Sequence, residues 1–283
     1  MKTKIGFYKM KKNLVIAAAV GLDVDQITLF VKSLRKYYYE DICIVIGHKD
    51  FALEEELEKY KTIILKTKIH KKSIQFERYK IFLNFLEKRS YDNILCIDSR
   101  DVYFQANPFN FQYKGEINFF LEDKKIKECP FNTNWIIKTY GKNKFENIKD
   151  KVILCSGTVL GKHEKIKEYL RILNNQILKF KYKRKLKYSL TFRPDPEGRG
   201  CDQGHANYLV HNNMIKNFYF YSNKIGPVAT VFHLNEIIFN KDNELINTLN
   251  DSYIIVHQYD KKWNEFKSNV NQIRLKLGLS QIL

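Results

Sequence analysis

Asn93-Ile94-Leu95-Cys96-Ile97 is a short apolar run that ends on Asp98-Ser99-Arg100-Asp101. An apolar run of this length bounded by polar residues reads as a buried strand, here one that delivers two carboxylates to the loop at its carboxyl end. The segments before it repeat the theme. Asn13–Val20 reads as a strand, and Asp25 is placed to cap a helix whose apolar Ile27, Phe30, Val31 and Leu34 recur at i, i+3, i+4 and i+7. Asp41–Ile46 is a second strand closed by Gly47, Phe51–Tyr60 a helix, and Thr62–Leu65 a third strand. Ser73 opens a helix reaching roughly Arg89, with Phe76, Tyr79, Leu83 and Leu86 on one face. Strand–helix–strand alternation at this spacing predicts βαβ units, hence an α/β fold with a mixed, mostly parallel, Rossmann-like sheet flanked by helices. Ligands of such sheets bind beyond the carboxyl ends of the strands, which points to the loops after Val20 and Ile97.

The second half is less regular. Glu116–Leu121 and Val152–Leu160 read as strands, His163–Phe180 as an amphipathic helix, and Lys181–Arg199 as a basic, then Pro/Gly-bearing loop. Asp202–His211 has a helical pattern, and Tyr253–Gln258 reads as a strand running into a charged C-terminal helix. With no internal repeat and no linker-like stretch, residues 1–283 are expected to form a single domain.

Composition narrows the class. Hydrophobic residues make up 44% of the chain, too many for disorder, while 12 Gly and 5 Pro exclude collagen-like or linker-rich architectures. No stretch approaches the ~20 consecutive apolar residues of a membrane span. Lys11-Lys12 before Leu14–Val20 imitates a short signal peptide, but the following Gly-Leu-Asp-Val-Asp and helical pattern favour a strand. The five cysteines are an odd number without CxxC spacing, and Cys43, Cys96 and Cys155 lie in apolar runs, so core thiols and a reducing, cytoplasmic setting are expected. The 49 Lys+Arg exceed 31 Asp+Glu to give a formal charge of +18. That excess fits either a Lys/Asn/Ile-rich composition bias on a solvated surface or attraction to a polyanion.

Asp98 and Asp101 suit a hard divalent cation, Mg²⁺ or Mn²⁺, which takes few protein oxygens together with substrate phosphates. The competing reading is a solvated turn in which one of them pairs with Arg100. The wider stretch Cys96-Ile-Asp-Ser-Arg-Asp-Val-Tyr-Phe-Gln-Ala-Asn-Pro-Phe109 resembles the DxD segment of GT-A glycosyltransferases, in particular the glycogenin-like and bacterial lipopolysaccharide galactosyltransferase family. Anchored on Asn107-Pro108-Phe109, the resemblance puts Asp101 on the motif's second, metal-holding Asp. Ser99 stands where the first Asp would be, and Asp98 is the candidate for the missing carboxylate.

Further segments follow in the order that family requires. Glu77-Arg78-Tyr79-Lys80 resembles the helix whose Arg contacts the nucleotide sugar, which makes Arg78 the candidate. Cys155-Ser156-Gly157 resembles the Asn-(Ser/Ala)-Gly strand that approaches the donor, with Cys155 replacing the Asn. Gly200-Cys-Asp-Gln-Gly-His-Ala-Asn207 resembles the Asp-Gln segment at the reaction centre, making Asp202 and Gln203 the catalytic candidates; Asp202 also suits a helix N-cap. Val256-His-Gln-Tyr-Asp-Lys-Lys-Trp263 resembles a shortened His-x-x-Gly-x-x-Lys-Pro-Trp, implying His257 as a metal ligand and Lys261 or Lys262 as a diphosphate contact. His233 is the rival ligand.

The resemblance implies a metal-dependent enzyme that transfers a sugar from a UDP-sugar to a glycan, lipid-linked or protein acceptor, with retention of configuration. Residues 13–110 would form the nucleotide-binding half and 111–283 the donor-sugar and acceptor half. An inverting enzyme would need a carboxylate base, for which Asp202, Asp195 and Glu197 are available. A sugar nucleotidyltransferase would carry a Gly-rich basic loop after the first strand, whereas Val20-Gly-Leu-Asp-Val-Asp is acidic. Lys179–Lys187 interleaves basic and aromatic residues and suits either a solvated loop or peripheral contact with an anionic membrane. A basic nucleic-acid-binding module is the remaining alternative, but the chain has no RNA-recognition fingerprint, zinc finger or P-loop.

Overall fold

The computed structural model describes residues 12–191 and 200–282, with 181–191 described as backbone. Strands and helices run β1 (Leu14–Ala18), α1 (Val24–Arg35), β2 (Asp41–Gly47), α2 (Phe51–Glu58), β3 (Ile63–Thr67), α3 (Ile74–Leu86), β4 (Asn93–Ile97) and β5 (Val102–Phe104). They continue as β6 (Ile117–Lys125), α4 (Pro130–Tyr140), α5 (Lys142–Glu146), β7 (Val152–Lys162), α6 (His163–Thr191), α7 (Cys201–His211) and β8 (Phe218–Tyr221). The chain closes with β9 (Val228–Thr230), the hairpin β10 (Ile238–Phe239) and β11 (Leu245–Ile246), β12 (Ile255–His257) and α8 (Trp263–Lys276).

The expected α/β architecture is present. A 7-stranded sheet has the order β3-β2-β1-β4-β7-β6-β8, in which β7 alone runs against its neighbours. A 3-stranded sheet, β5-β12-β9, lies beside it. Side chains alternate across the main sheet, as pleating requires. Leu14 and Ile16 of β1 join Tyr79, Phe82 and Leu86 of α3 and Leu170 of α6 on one face. Val15 and Ala17 join Ile27, Phe30, Val31 and Leu34 of α1 on the other. Each such buried side chain contributes about 1.5–3 kcal/mol, and burial on both faces explains why β1, β2 and β4 read as continuous apolar runs.

Several local expectations are corrected. The cap of α1 is Asp23, which accepts from the Gln26 backbone N–H while the Gln26 side chain accepts from that of Asp23; Asp25 lies in the first turn instead. The helix expected to stop at Phe180 continues to Thr191, because Lys and Arg are good helix formers and no Gly or Pro intervenes before Pro194. Residues 192–199, with Asp195 and Glu197, lie outside the described residues. So do the side chains from 181 onward in the Lys179–Lys187 cluster. All five cysteines are buried and none is in a disulfide. Among the described residues no helix is long and apolar enough to cross a membrane.

Candidate metal centre

Three segments converge where β4 ends. Asp98 follows β4 directly, and its backbone N–H donates to the Gly157 carbonyl of β7 at 2.8 Å. The chain turns through Ser99, whose hydroxyl donates to the Ala18 carbonyl at the end of β1 (2.9 Å), and enters β5 after Asp101. β5 pairs antiparallel with β12, setting His257 opposite Val102 and therefore beside Asp101. Gln258 then adopts a left-handed conformation, and its N–H closes on the Asp101 carbonyl at 2.8 Å.

The other wall is β7. Its register with β6 jumps from Phe119↔Val159 to Leu121↔Leu154, so residues 155–158 leave the ladder and bend toward β4. Gly157 sits in that bend. A Cβ there would land on the Asp98 carboxylate and 2.5 Å from His257 Cε1, so only glycine lets the strand approach this closely.

Asp98, Asp101 and His257 each present one ligand atom, all within 4.8 Å of one another. His257 Nε2 lies 3.4 Å from Asp98 Oδ2 and 3.7 Å from Asp101 Oδ1. Nε2 is buried and has no hydrogen-bond partner. The other ring nitrogen, Nδ1, faces Cys155 Sγ at 3.4 Å and Thr158 Oγ1 at 3.5 Å. A buried polar atom without a partner costs about 1–3 kcal/mol, so its retention needs a reason. Two carboxylate oxygens and an imidazole nitrogen converging on one point supply it: the donor set fits a divalent cation.

Surrounding charges set the electrostatics. Burial works against ionisation of Asp98, but the Arg78 guanidinium and His257 outweigh it and hold its pKa well below the usual carboxylate range. Burial and the nearby Asp98 and Asp260 carboxylates push Asp101 up, against His257 and Arg100. Burial also opposes a charged His257, yet Cys155 and the two aspartates raise its pKa well above that of free histidine. Arg100 does pair with Asp101 (3.2 Å), and with Asp260 (2.7 Å), but it takes Asp101 Oδ2 and leaves Oδ1 facing His257.

Arg78, projecting from α3, ties this cluster to α7. It pairs with Asp98 and, at 3.0 Å, with Asp202 Oδ2, which also accepts from Tyr79 Oη at 2.7 Å. Asp202 is therefore not the N-cap of α7; Gly200 is, and Asp202 in the first turn spends its side chain on Arg78 and Tyr79. Gln203 reaches the bend of β7, where its Oε1 accepts from Ser156 N–H at 3.4 Å. The chain thus brings Arg78, Asp98, Asp101, Ser156, Gly157, Asp202, Gln203 and His257 to one place.

The lysines lie at the margin of this network, Lys261 through Asp260, the second partner of Arg100. Lys262 donates to the Leu234 carbonyl at 2.5 Å, and Lys261 lies 3.5 Å from Asp260. His233 is not part of the cation cluster; its Nδ1 pairs with Glu122 on β6. Sequence reasoning missed Glu122, Tyr79 as a polar partner, and Asn132. Pro130 at the first position of α4 was the local signal for the helix that carries Asn132.

No protein-family model matches this chain, and no curated protein matches it.

Proposed function

We propose that this chain is a metal-dependent glycosyltransferase that takes its sugar from a UDP-sugar donor and passes it to a glycan or glycoconjugate acceptor. The observation that carries the reading is the unpartnered, buried Nε2 of His257 facing Asp98 and Asp101 at the carboxyl end of β4, with Gly157 clearing the approach. Asp98, Asp101 and His257 would hold the cation, and the imidazole in the set favours Mn²⁺ over Mg²⁺. A cation bound there supplies positive charge for a departing diphosphate.

The chain's own residues do the rest. Arg78 adds a fixed positive charge between Asp98 and Asp202 and holds Asp202 in place. Asp202 and Gln203 line the wall where a sugar attached to that diphosphate would lie, and the Ser156–Gly157 backbone supports it from β7. Asp202 is tied to Arg78 and Tyr79 and Gln203 is uncharged, so neither is the free carboxylate base that inversion would need. The exposed Lys179 opens a stretch of basic sequence suited to contact with an acceptor or an anionic membrane.

The test is UDP-sugar hydrolysis and thermal stability with Mn²⁺ and UDP. Mn²⁺ plus UDP is expected to raise Tm, as a bound ligand must by mass action. Asp101→Asn keeps the size and removes the charge, and is expected to lower turnover by about 10³-fold. Full activity in EDTA, or in Asp101→Ala, overturns the reading.

A further inference from the structure

Cys129 is the residue before Pro130, at the N-terminal end of α4. Its side chain is 2% exposed, but Glu128, Pro130 and Phe131 beside it are exposed, so the sulfur lies just under the surface. Two side chains address it, and a third orients one of them. Asn132, buried in the first turn of α4, donates through Nδ2 to Cys129 Sγ at 3.3 Å. His233, just after β9, hydrogen-bonds the same sulfur. Its Nδ1 is held by Oε2 of the buried Glu122 on β6, which leaves Nε2 for the thiol. Among the described residues these three ionisable groups are not gathered on one point as a chelate would be; they form a line from thiol to imidazole to carboxylate.

Such a line is the arrangement that ionises a thiol and keeps it ionised. A neutral thiol is a weak acceptor and has little to offer an amide N–H and an imidazole at once, whereas a thiolate accepts from both. The electrostatics agree. Burial works against the thiolate, but His233, then the Asn132 backbone and side chain and the Phe131 backbone, outweigh it and bring the Cys129 pKa down to about 7. Burial also works against a charged His233, yet Cys129 and Glu122 raise it to about 9. Cys43 and Cys96, in strands of the main sheet, show the opposite: burial pushes both thiols up to about 12.

We propose that Cys129 is a peroxide-reactive thiolate: Glu122 orients His233, His233 pairs with the sulfur, and a small neutral hydroperoxide oxidises that sulfur to a sulfenic acid. Burial selects the oxidant. A sulfur 2% exposed is out of reach of a bulky disulfide or another protein's thiol, whereas a molecule the size of hydrogen peroxide needs only a small opening between side chains. The thiolate's electron pair forms an S–O bond to one peroxide oxygen as the O–O bond breaks. The departing hydroxide takes the His233 Nε2 proton and leaves as water. Cys129 is oxidised by two electrons, the peroxide is reduced by two, and His233 ends neutral. Two equivalents of external thiol reverse the change, leaving as a disulfide with one water. This chemistry draws on nothing in the cation cluster and would operate whether or not the chain transfers a sugar.

The test treats the full chain with hydrogen peroxide in EDTA, traps sulfenic acid with dimedone and locates the trap by peptide mass spectrometry. Cys129 is expected to be trapped at least about 10-fold faster than Cys43, Cys96, Cys155 or Cys201, and dithiothreitol added before the trap is expected to erase the signal. Without peroxide, the wild-type protein at neutral pH is expected to show a thiolate ultraviolet absorbance that Cys129→Ser lacks. His233→Gln is expected to lose that absorbance and to slow trapping at Cys129 by about 10-fold. Should His233→Gln fail to fold, the wild-type and Cys129→Ser comparison decides alone. Trapping at Cys129 no faster than at the other cysteines, equal absorbance in wild type and Cys129→Ser, or a folded His233→Gln that behaves as wild type each overturns the inference.

Discussion

His257 and His233 are both buried, and both face carboxylates. His257 is 1% exposed and its Nε2 stands 3.4 and 3.7 Å from two aspartates without a hydrogen bond to either. The His233 side chain is 10% exposed and commits Nδ1 to one glutamate, whose second oxygen is taken by Gln203. One site is short of a partner and the other is complete. The difference separates a cluster that could hold a cation from one whose polar atoms are already met by other side chains. It also answers which histidine belongs with the aspartates, a question the two strand-end positions leave open.

Gly157→Ala should have the largest effect on this contrast. Its new Cβ would displace the Asp98 carboxylate and the His257 ring, so the Mn²⁺-induced rise in Tm is expected to fall by at least about 100-fold in apparent affinity, with the Glu122–His233 pair untouched. An unaltered Mn²⁺ titration would break the assignment of the incomplete site. Next comes the stability of the metal-free protein, measured by urea unfolding in EDTA. His233→Leu takes the ion-pair partner from the buried Glu122 Oε2 and is expected to cost about 3 kcal/mol, distinctly more than His257→Leu. Equal costs would erase the distinction.

The His233 contribution also has a pH signature. Its folded pKa of about 9 lies above the unfolded value of 6.5. The stability it provides is therefore fully present below about pH 6.5 and is lost as pH rises through about 9. His233→Gln should flatten that part of the unfolding profile. The smallest effect is expected from Cys155→Ala, which removes a partner of His257 Nδ1. It should weaken Mn²⁺ binding by about 10-fold in a direct titration, and no change would mean that Thr158 alone orients the ring.

The fold was legible where hydrophobic period and position agree. β1, β2 and β4 are apolar runs because both faces of the sheet are covered, and α1 shows its core stripe in Ile27, Phe30, Val31 and Leu34, all of them buried. The helix cap was misplaced by two residues because Asp23 and Asp25 have the same chemistry, and only the return bond from Gln26 separates them. Asp98, Asp101 and His257 could be picked out because strand ends display them. Glu122, Asn132 and Cys129 could not, being single polar residues in unrelated segments, and His233 was visible only as a rival ligand. They meet only because β7 leaves its register with β6 and α4 folds over the gap. Lys262 was read as a diphosphate contact; in the structure its ammonium donates to the Leu234 carbonyl.

The ligand set also spans the chain. Asp98 and Asp101 close β4 on the main sheet, while His257 closes β12 of the small one, more than 150 residues later. A cation gripped by all three would fasten these ends together as a removable crosslink, and closing so long a loop withdraws considerable entropy from the unfolded chain. Loading would then tighten β5, β9 and β12 against the larger sheet, and amide exchange in those short strands would slow on adding Mn²⁺ and quicken on chelation. The three residues that could hold a cation would then also be the clasp that holds the smaller sheet shut.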